Sequence, residues 1–354
     1  MKPKRPFTPV PPPAPLPEPE TLDLEVLRAS CLSGETDLIC VLGPTASGKT
    51  RFAVSLAKRL EEISPCAALS RDDNIVISSG SPFVISSEVE KSLKCEIISA
   101  DSRQVYRGMT IGTGKDLAEY GDVPYHLIDI ADAGERYDLY RYQQDFERVY
   151  ADIRSRGAFP ILCGGTGLYI QAVTHAFALQ NVPADWDLRR ELEEMDPLTL
   201  LEEYRNRCGD PDATTLASRR RLIRGLEVAY ARENGLPDGS QVRATQFYPK
   251  NTFFIGTLVD REERNRRIDE RLDARIAEGL VDEVRGLLEQ GIGPEDLIYY
   301  GLEYKFVTQY LLGLLDFDSM RLQLSTAIHQ FAKRQMTFFR GMEAKGDRIH
   351  WVKA

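Results

Sequence analysis

Five short apolar runs alternate along the chain with amphipathic stretches. The runs lie at 38–42, 96–100, 125–130, 159–163 and 253–259. Uninterrupted apolar runs of this length are typical of strands that are buried on both faces of a sheet. The stretches between them, such as 139–156, repeat apolar positions every three to four residues, which indicates helices. The alternation predicts an α/β fold in which helices flank a parallel sheet.

One region lacks this alternation. Residues 176–245 are rich in Arg, Glu and Leu and contain no strand pattern, which predicts a smaller, mostly helical insertion domain. Beyond it, long charged helices are predicted over 261–290 and 319–342, and a last strand over 348–352. The core domain then consists of 37–175 and 246–354.

Two further segments do not follow the α/β pattern. The first twenty residues contain nine prolines and few large apolar side chains, which predicts a disordered tail over 1–36. Residues 62–94 carry clusters of Ser, Asp, Gly and Pro between two short apolar patches, which predicts a surface insertion within the core domain. Neither segment contains a candidate for chemistry.

Composition narrows the class of protein. With 354 residues, of which 42% are hydrophobic, the chain can bury a sizeable core. It has neither an apolar run near the roughly 20 residues that span a bilayer nor the apolar core of a leader peptide. The cysteines lack metal or disulfide spacing, and the histidines stand apart from any nucleophile pattern. We expect a cytoplasmic monomer that does not contact membranes.

A phosphate-binding motif follows the first predicted strand and opens the next helix. It consists of Gly43, Pro44, Thr45, Ala46, Ser47, Gly48, Lys49 and Thr50, a complete GxxxxGK[ST] pattern. Backbone N–H groups of such a loop close around phosphate oxygens, Lys49 adds a cation, and the Thr50 hydroxyl can hold Mg²⁺. The motif predicts a P-loop NTPase-like sheet. On its own it favours an ATP-using kinase or ATPase, but it does not identify the phosphorylated ligand.

Asp101 and Thr166 are predicted to lie at the same edge of the sheet. Asp101 ends the second strand, and ligands bind at the carboxyl ends of strands in open α/β sheets. Its carboxylate suits a metal ligand of the Walker B kind, a base that faces an amine nucleophile, or a helix cap, and spacing does not separate the first two. Thr166 lies in a second glycine turn, 163–167, which is weak evidence alone because tight turns use glycine for backbone reasons.

Arginine-rich stretches are the remaining candidates for binding. They lie at 219–224, 261–275 and 333–340. Each, taken alone, fits an ordinary exposed helix face, and the net charge of −9 argues against non-specific coating of nucleic acid. In the last stretch, Lys333, Thr337 and Arg340 share one helix face beside Phe338 and Phe339. Basic groups next to aromatic rings are typical of single-stranded RNA binding.

Taken together, these motifs resemble those of tRNA dimethylallyltransferases, also called tRNA isopentenyltransferases. The resemblance runs in order from about residue 38 to the C-terminus. Its most specific block is Asp-Ser-Arg-Gln-Val-Tyr-Arg-Gly-Met at 101–109, followed by Ile-Gly-Thr at 111–113. The other matching motifs are the phosphate loop, 126–130, 164–169, 221–224 and 333–335.

The resemblance implies transfer of a dimethylallyl group from its diphosphate to N6 of adenosine 37 in tRNA, beside the anticodon, with Mg²⁺ assisting. Lys49 and Thr50 with Mg²⁺ would then stabilise the departing diphosphate rather than bind ATP, and Asp101 would accept a proton from the attacking amine. Either Arg266 or Arg267 resembles a family arginine that is directed at diphosphate. The adenine must leave its stack to react, which costs least in a loop.

The resemblance also implies a set of tRNA contacts. They map onto Asp101, Ser102, Arg103, Gln104, Thr166, Arg220, Arg221, Arg224, Lys333, Arg334, Gln335 and Arg340, and onto the turn 300–304. Thr166 resembles the family residue that contacts the target nucleotide. The chain departs from the family pattern at the tail, at 62–94, and at Gly-Lys-Asp 114–116, where the family usually has Ala-Lys-Pro.

Two other classes of function use the same residues. A small-molecule kinase would use the phosphate loop for ATP, Asp101 as a metal ligand and the arginines of 219–224 as a lid, but it leaves 333–340 unexplained. A non-catalytic RNA-binding paralogue would need no intact catalytic set, yet Lys49, Thr50 and Asp101 are all present. A relative that prenylates free adenylate would not need the basic C-terminal helix.

Overall fold

The protein forms two compact units. The computed structural model describes residues 16–62, 93–175, 182, 184–235 and 249–353. The larger unit comprises Met1–His175 and Phe247–Ala354, and the smaller one Ala176–Gln246. The smaller unit differs by one residue from the predicted insertion domain, 176–245. The surface insertion predicted over 62–94 lies, except for its first residue and its last two, outside the described residues.

A parallel sheet forms the centre of the larger unit. In chain order its strands are β1 Leu38–Leu42, β2 Cys95–Ser99, β3 Tyr125–His126, β4 Phe159–Gly164, β5 Thr252–Leu258 and β6 Ile349–Lys353. Their spatial order is β3-β2-β4-β1-β5-β6, and every pair is parallel. Residues of β1, β2 and β4 are all buried, which explains why these segments are largely apolar and show no regular alternation with polar residues. The predicted fold class is confirmed.

Helices cover both faces of the sheet and form the smaller unit. In chain order they are α1 Leu24–Ser33, α2 Lys49–Glu62, α3 Leu139–Ser155, α4 Gly167–Thr174, α5 Trp186–Glu194, α6 Pro197–Cys208, α7 Ala213–Leu216, α8 Arg219–Glu233, α9 Arg261–Glu278, α10 Leu280–Glu289, α11 Pro294–Tyr299, α12 Leu302–Leu311 and α13 Phe317–Glu343. The helix predicted over 261–290 is two helices, because Gly279 between them has a left-handed φ of 107°. Within the described part of the chain, no helix is long and apolar enough to cross a membrane.

The core of the larger unit has two layers, one on each face of the sheet. Leu38, Cys40 and Leu42 of β1 pack into one layer, while Ile39 and Val41 pack into the other, as the two-residue period of a strand requires. The first layer contains α3, α4 and α9 to α13, and the second contains α1 and α2.

The prediction of a disordered tail over 1–36 is wrong for its C-terminal part. Leu24–Ser33 is a helix whose N-terminus is capped by Asp23, the side chain of which accepts hydrogen bonds from two backbone N–H groups at 3.0 and 3.1 Å. Leu27 and Cys31, four residues apart, are buried against the α2 layer. Because the prolines end at residue 19, the composition that indicates disorder does not extend into this helix.

β3 is shorter than the apolar run at 125–130 predicts. Leu127 and Asp129 have left-handed φ values of 62° and 55°, which end the strand after His126. The bend brings the Asp129 carboxylate into an ion pair with the buried Lys115 ammonium, which also donates to the Tyr106 carbonyl oxygen at 2.5 Å. Leu127 is nevertheless buried. The apolar run therefore reports burial beyond the end of the strand.

A buried ion pair holds the amino end of β2. The Glu96 carboxylate, whose side chain is 8% exposed, pairs with both terminal nitrogens of Arg156 and with His126 Nε2 at 2.7 Å. Arg156 holds the pKa of Glu96 below its usual value, and burial opposes this shift. Because the pKa of Glu96 is lower in the folded state than in the unfolded state, the carboxylate stabilises the fold at pH values above the unfolded-state pKa. This stabilisation is lost as the pH falls through the folded-state pKa.

We expect Glu96→Gln to lower the free energy of unfolding at pH 7 by about 1–3 kcal/mol, because Arg156 and His126 lose the charged acceptor that their hydrogen bonds share. The deficit should shrink below about pH 4, where wild type also loses the charge. Chemical denaturation at pH 7 and pH 3 measures both values. Asp152→Asn is the control, since Asp152 contacts Arg156 from the exposed side. Equal losses in the two variants would contradict a special role for the buried carboxylate.

Candidate active site

The phosphate loop leaves β1 in a conformation that the rest of the sheet fixes. Ala46 and Gly48 have left-handed φ values of 60° and 79°. A Cβ atom at Gly43 would lie 2.1 Å from Thr257 Oγ1 on β5, so only glycine fits there. The Ser47 hydroxyl hydrogen-bonds the Thr257 hydroxyl at 2.7 Å and is buried. The Ser47 side chain therefore anchors the phosphate loop to β5.

A cavity of about 610 Å³ opens at the N-terminus of α2. Its lining combines the loop with side chains from α2, α9, β6 and the 114–120 region: Ala46, Gly48, Lys49, Thr50, Arg51, Phe52, Ser55, Asp116, Glu119, Arg267, Arg271 and Lys353. Five of these residues are basic and two are acidic. Together with the positive end of the α2 dipole, this charge balance favours a polyanionic ligand.

The structure separates the two adjacent arginines that the sequence leaves equivalent. Arg267 lines the cavity, and its Nε donates to Glu263 at 2.7 Å. Arg266 is 57% exposed and pairs with Glu263 and Glu270 on the outer side of α9. Arg266 and Arg267 together lower the pKa of Glu263 to about 2. Glu263 therefore stays ionised and holds Arg267 in the cavity wall.

Arg271 is a cavity residue that the sequence analysis missed. It lies four residues after Arg267 on the same face of α9 and lines the same cavity. Its guanidinium pairs with Asp116 and donates to the Gly114 carbonyl oxygen at 3.4 Å. The i, i+4 spacing within the arginine-rich stretch could have identified it, because residues with this spacing project from one side of a helix.

Lys49 and Asp101 act on each other electrostatically. Burial lowers the pKa of the Lys49 ammonium, and the nearby Asp101 carboxylate opposes the shift. The β-sheet register explains this proximity, since Leu42 is level with Gly164 and Ser99 with Cys163. The loops that leave β1, β2 and β4 therefore start side by side, as the sequence predicts.

Asp101 begins a turn, and no helix follows it directly. Its Oδ1 accepts a hydrogen bond from the Arg103 backbone N–H at 2.9 Å. Among the described residues, none donates a hydrogen bond to Oδ2. The helix-cap interpretation of Asp101 is therefore wrong, and one oxygen of the carboxylate stays available to a ligand or a proton.

The second glycine turn closes against Asp101. A Cβ atom at Gly164 would lie 2.3 Å from the Ala100 carbonyl oxygen, so the glycine allows β4 to end directly beside β2. Thr166 Oγ1 accepts from the Ser102 backbone N–H at 3.1 Å. Thr166 and Ser102 therefore lie next to Asp101, as the sequence predicts.

Two glutamines that were predicted to contact tRNA are used inside the protein. Gln104 accepts from the Ser99 hydroxyl and donates to the Gly114 carbonyl oxygen, both at 3.1 Å. Gln335, which is 7% exposed, accepts from the Thr45 backbone N–H at 2.8 Å and donates to the Gly165 carbonyl oxygen at 2.9 Å. The prediction of a tRNA contact is wrong for Gln335, whose amide joins the phosphate loop to the second glycine turn.

The basic face of α13 is only partly as predicted. Lys333 and Arg334 are exposed, and Arg340 is half-buried. Phe339 is fully buried in the core, and Phe338 fills the space that a side chain at Gly167 would need. The Phe339 ring therefore packs inside the protein, whereas Phe338 is partly buried and packs against the core beside Gly167.

The turn 300–304 is also less exposed than expected. Tyr300 and Tyr304 are buried. The Tyr300 hydroxyl accepts from the Gly134 N–H at 2.6 Å, and the Tyr304 hydroxyl donates to Glu283 at 2.6 Å. These two side chains support neighbouring loops, and the predicted contact of the turn with tRNA stays a prediction.

Glu283 on α10 supports the Ile-Gly-Thr block and was missed. Its carboxylate accepts from the backbone N–H groups of Thr110, Ile111 and Gly112 at 2.8, 2.8 and 3.0 Å. The sequence offers no signal for this role, because acidic residues are frequent throughout 261–290.

In the smaller unit, the arginines at 220–224 differ in their contacts. Arg224 donates to the buried Glu227 carboxylate at 2.7 Å and to the Val182 carbonyl oxygen at 2.8 Å. Arg221 is exposed and donates to the Thr214 carbonyl oxygen, and Arg220 is exposed. The guanidinium of Arg224 thus compensates a buried charge, and its predicted contact with tRNA stays a prediction.

The site thus has the parts of a phosphate-binding transferase: an anion cavity on a P-loop-type sheet and a carboxylate with one available oxygen beside it. Residues 104–342 match the family model described as IPP transferase. The chain belongs to the IPP transferase family, and the resemblance seen in its motifs is confirmed.

Relatives and solved structures agree with this assignment. The chain is 48% identical over 324 residues to tRNA dimethylallyltransferase 2 of Porphyromonas gingivalis, covering 90% of this chain and 94% of that protein. It is 46% identical over 327 residues to tRNA dimethylallyltransferase 1 of Parabacteroides distasonis, covering 90% and 92%. The crystal structure of the tRNA isopentenylpyrophosphate transferase from Bacillus halodurans matches with a TM-score of 0.59 and 32% identity, covering 90% of each chain.

A eukaryotic dimethylallyltransferase acting on tRNA has the same fold. It matches with a TM-score of 0.64 and 22% identity, covering 89% of this chain and 74% of that one. At this level of identity, the match supports the architecture of the sheet and its flanking helices.

Proposed function

We propose that the protein transfers a dimethylallyl group from dimethylallyl diphosphate to N6 of adenosine 37 in tRNA, which gives N6-dimethylallyladenosine and diphosphate. Family membership over nine-tenths of the chain supports prenyl transfer over the kinase and the non-catalytic alternatives. The observation that carries the chemistry is the convergence of Asp101 and Lys49 at one edge of the sheet. We also propose that the reaction takes place in the cytoplasm, where the proposed tRNA substrate would be met.

The diphosphate is the leaving group in this proposal. Negative charge grows on its bridging oxygen as the allylic C–O bond breaks, and preorganised cations in the cavity stabilise that charge. Lys49, Arg267 and Arg271 supply these cations from two elements of the fold. They are held in place before the substrate arrives, two of them by Glu263 and Asp116.

Mg²⁺ fits this site as a partner of the substrate. Among the described residues, no group of three His, Cys, Asp or Glu side chains could hold a metal ion alone. Mg²⁺ commonly binds substrate phosphates and only one or two protein oxygens. The Thr50 hydroxyl in the cavity wall would hold the ion, which would neutralise charge on the diphosphate.

Asp101 is the proposed base. The exocyclic amine of adenine gains positive charge as it attacks the allylic carbon, and its proton needs an acceptor. Oδ1 is occupied by the Arg103 N–H, so Oδ2 is the oxygen in position to take the proton. Ser102 and Thr166 would position the flipped nucleotide beside it, and Lys333, Arg334 and Arg340 would contact the RNA backbone.

Mass spectrometry of tRNA tests the proposed function. The protein is incubated with dimethylallyl diphosphate, Mg²⁺ and undermodified tRNA, and the nucleosides are analysed. We expect one dimethylallyl unit on one adenosine, and no product on a tRNA that has guanosine at position 37. ATP hydrolysis or phosphoryl transfer without prenylated tRNA would instead identify a kinase.

We expect Gln335→Leu to raise the KM for dimethylallyl diphosphate about tenfold, because the phosphate loop loses its tie to Gly165 and the Thr45 N–H loses its acceptor. The salt dependence of tRNA binding should stay unchanged, since Gln335 does not reach the surface. Gln323→Leu, on the exposed side of the same helix, is the control. A normal KM with weaker tRNA binding would restore the original prediction for Gln335.

A further inference from the structure

The side chains of Arg103, Arg136 and Tyr299 meet in a cluster that begins two residues after Asp101. Arg103 follows Asp101 by two residues, and its backbone N–H binds the Asp101 carboxylate. Its side chain passes Gly301, where an added Cβ atom would lie 3.7 Å from Arg103 Nε. The guanidinium then reaches the ring of Tyr299, with Cζ 5.5 Å from the ring centroid.

Arg136 approaches the same ring from another loop. Its Cζ lies 4.4 Å from the Tyr299 centroid, and its NH2 pairs with Asp296 at 2.7 Å. The side chain is 33% exposed. Tyr299 therefore brings two guanidinium groups from distant parts of the chain to one aromatic ring, an arrangement that the face of the ring favours.

The contrast with the next residue shows that Tyr299 is not simply a core side chain. Tyr300 is fully buried, and its hydroxyl is bonded to the Gly134 N–H and the Glu135 carbonyl oxygen. Tyr299 is half-exposed, and no described residue hydrogen-bonds its hydroxyl. Packing alone does not require this ring at the surface.

The charges of the two arginines are not balanced within the protein. Asp296 offsets Arg136, whereas no described carboxylate forms an ion pair with Arg103. Two guanidinium groups close together repel each other unless an anion binds them. Since Arg103 begins beside Asp101, an anion at this place would lie next to the reacting nucleotide.

We propose that Arg103, Tyr299 and Arg136 form a cationic platform for the RNA backbone that flanks the flipped adenosine. The inference rests on the proposed function and adds Tyr299 and Arg136 to the RNA-binding residues. A flipped nucleotide draws its own phosphates towards the pocket, so cations beside Asp101 bind the strand while the base is extruded. Guanidinium planes and an exposed ring also suit an unstacked neighbouring base.

The platform is tested by binding of an anticodon stem-loop RNA over a salt series. Arg103→Gln with Arg136→Gln should weaken binding and reduce the log–log salt slope by about 0.7 for each RNA phosphate that the variant no longer neutralises. Tyr299→Leu should weaken binding about fivefold at low salt, and Tyr299→Phe should bind as wild type does, because the ring remains. The KM for dimethylallyl diphosphate should not change in any of these variants.

Arg148→Gln with Arg285→Gln is the matched control, since both are exposed arginines of the larger unit with one carboxylate neighbour each. The thermal unfolding temperature of each variant verifies the fold, and the double arginine variant keeps the test valid if Tyr299→Leu is unstable. A salt slope equal to that of wild type overturns the platform. So does a selective rise in the KM for dimethylallyl diphosphate, which would place the arginines in the diphosphate pocket.

The test separates the platform from the proposed function. If wild type prenylates tRNA but the platform variants bind the stem-loop normally, only the platform fails. If the variants lose RNA affinity but wild type forms no prenylated adenosine, the platform stands as an RNA-binding surface and the proposed function fails.

Discussion

Asp101→Asn should lower the rate of prenyl transfer by about 10²–10⁴-fold, which is the usual contribution of a general base. The amide oxygen can still accept the Arg103 N–H, so the turn keeps its shape. The other position becomes an NH₂ group, which cannot take a proton from the adenine amine. Single-turnover rates with saturating tRNA and dimethylallyl diphosphate measure the chemical step directly.

Binding distinguishes the roles that are open to Asp101. If Asp101 is the base, Asp101→Asn should leave the KM of both substrates within about threefold of wild type, because ground-state contacts change little. If Asp101 is instead a metal ligand of the Walker B kind, Asp101→Asn should raise the Mg²⁺ concentration needed for activity. Asp122→Asn, at an exposed position, is the control. Near-normal turnover would assign Asp101 to the turn alone.

The sheet edge could be predicted because local patterns determine it. Buried parallel strands show as apolar runs, and the loop after β1 has a fixed spacing that few other structures require. Ligand groups at the ends of β1, β2 and β4 then follow from the parallel topology. Asp101 and Lys49 were found in this way, and the structure brings them together.

The contacts of Gln335 and Ser47 could not be predicted, because they depend on distant parts of the chain. Gln335 bonds to Thr45, which lies 290 residues away, and Ser47 bonds to Thr257, 210 residues away. Both residues sit in motifs that suggest contact with a ligand. An uncharged polar side chain can satisfy a buried backbone group equally well, and sequence spacing does not separate the two uses.

Helix orientation sets another limit. Successive helical residues point about 100° apart, so the choice between Arg266 and Arg267 depends on the rotation of α9 about its axis. That rotation is fixed by Ile268 and Leu272, which are buried in the core. The apolar positions of α9 were visible in the sequence, but its many arginines conceal which of them face the cavity.

Arg267→Gln should lower kcat/KM for dimethylallyl diphosphate by about 10²–10³-fold, comparable to the loss of one preorganised donor to a developing anion. Arg267 acts in a cavity that it shares with Lys49 and Arg271, where charges are less screened than at the surface. Arg266→Gln is the control on the adjacent residue. It should change kcat/KM less than twofold, because Arg266 is exposed and pairs with Glu263 and Glu270.

A third variant, Glu263→Gln, tests how Arg267 is held. Glu263 contacts both arginines, so Glu263→Gln should reproduce part of the loss by releasing Arg267 while leaving its charge in place. A larger defect in kcat than in affinity is expected, since the charge on the diphosphate grows in the transition state. Equal effects of Arg266→Gln and Arg267→Gln would show that α9 contributes only a diffuse positive field. A defect in Arg266→Gln alone would require α9 to rotate when substrate binds.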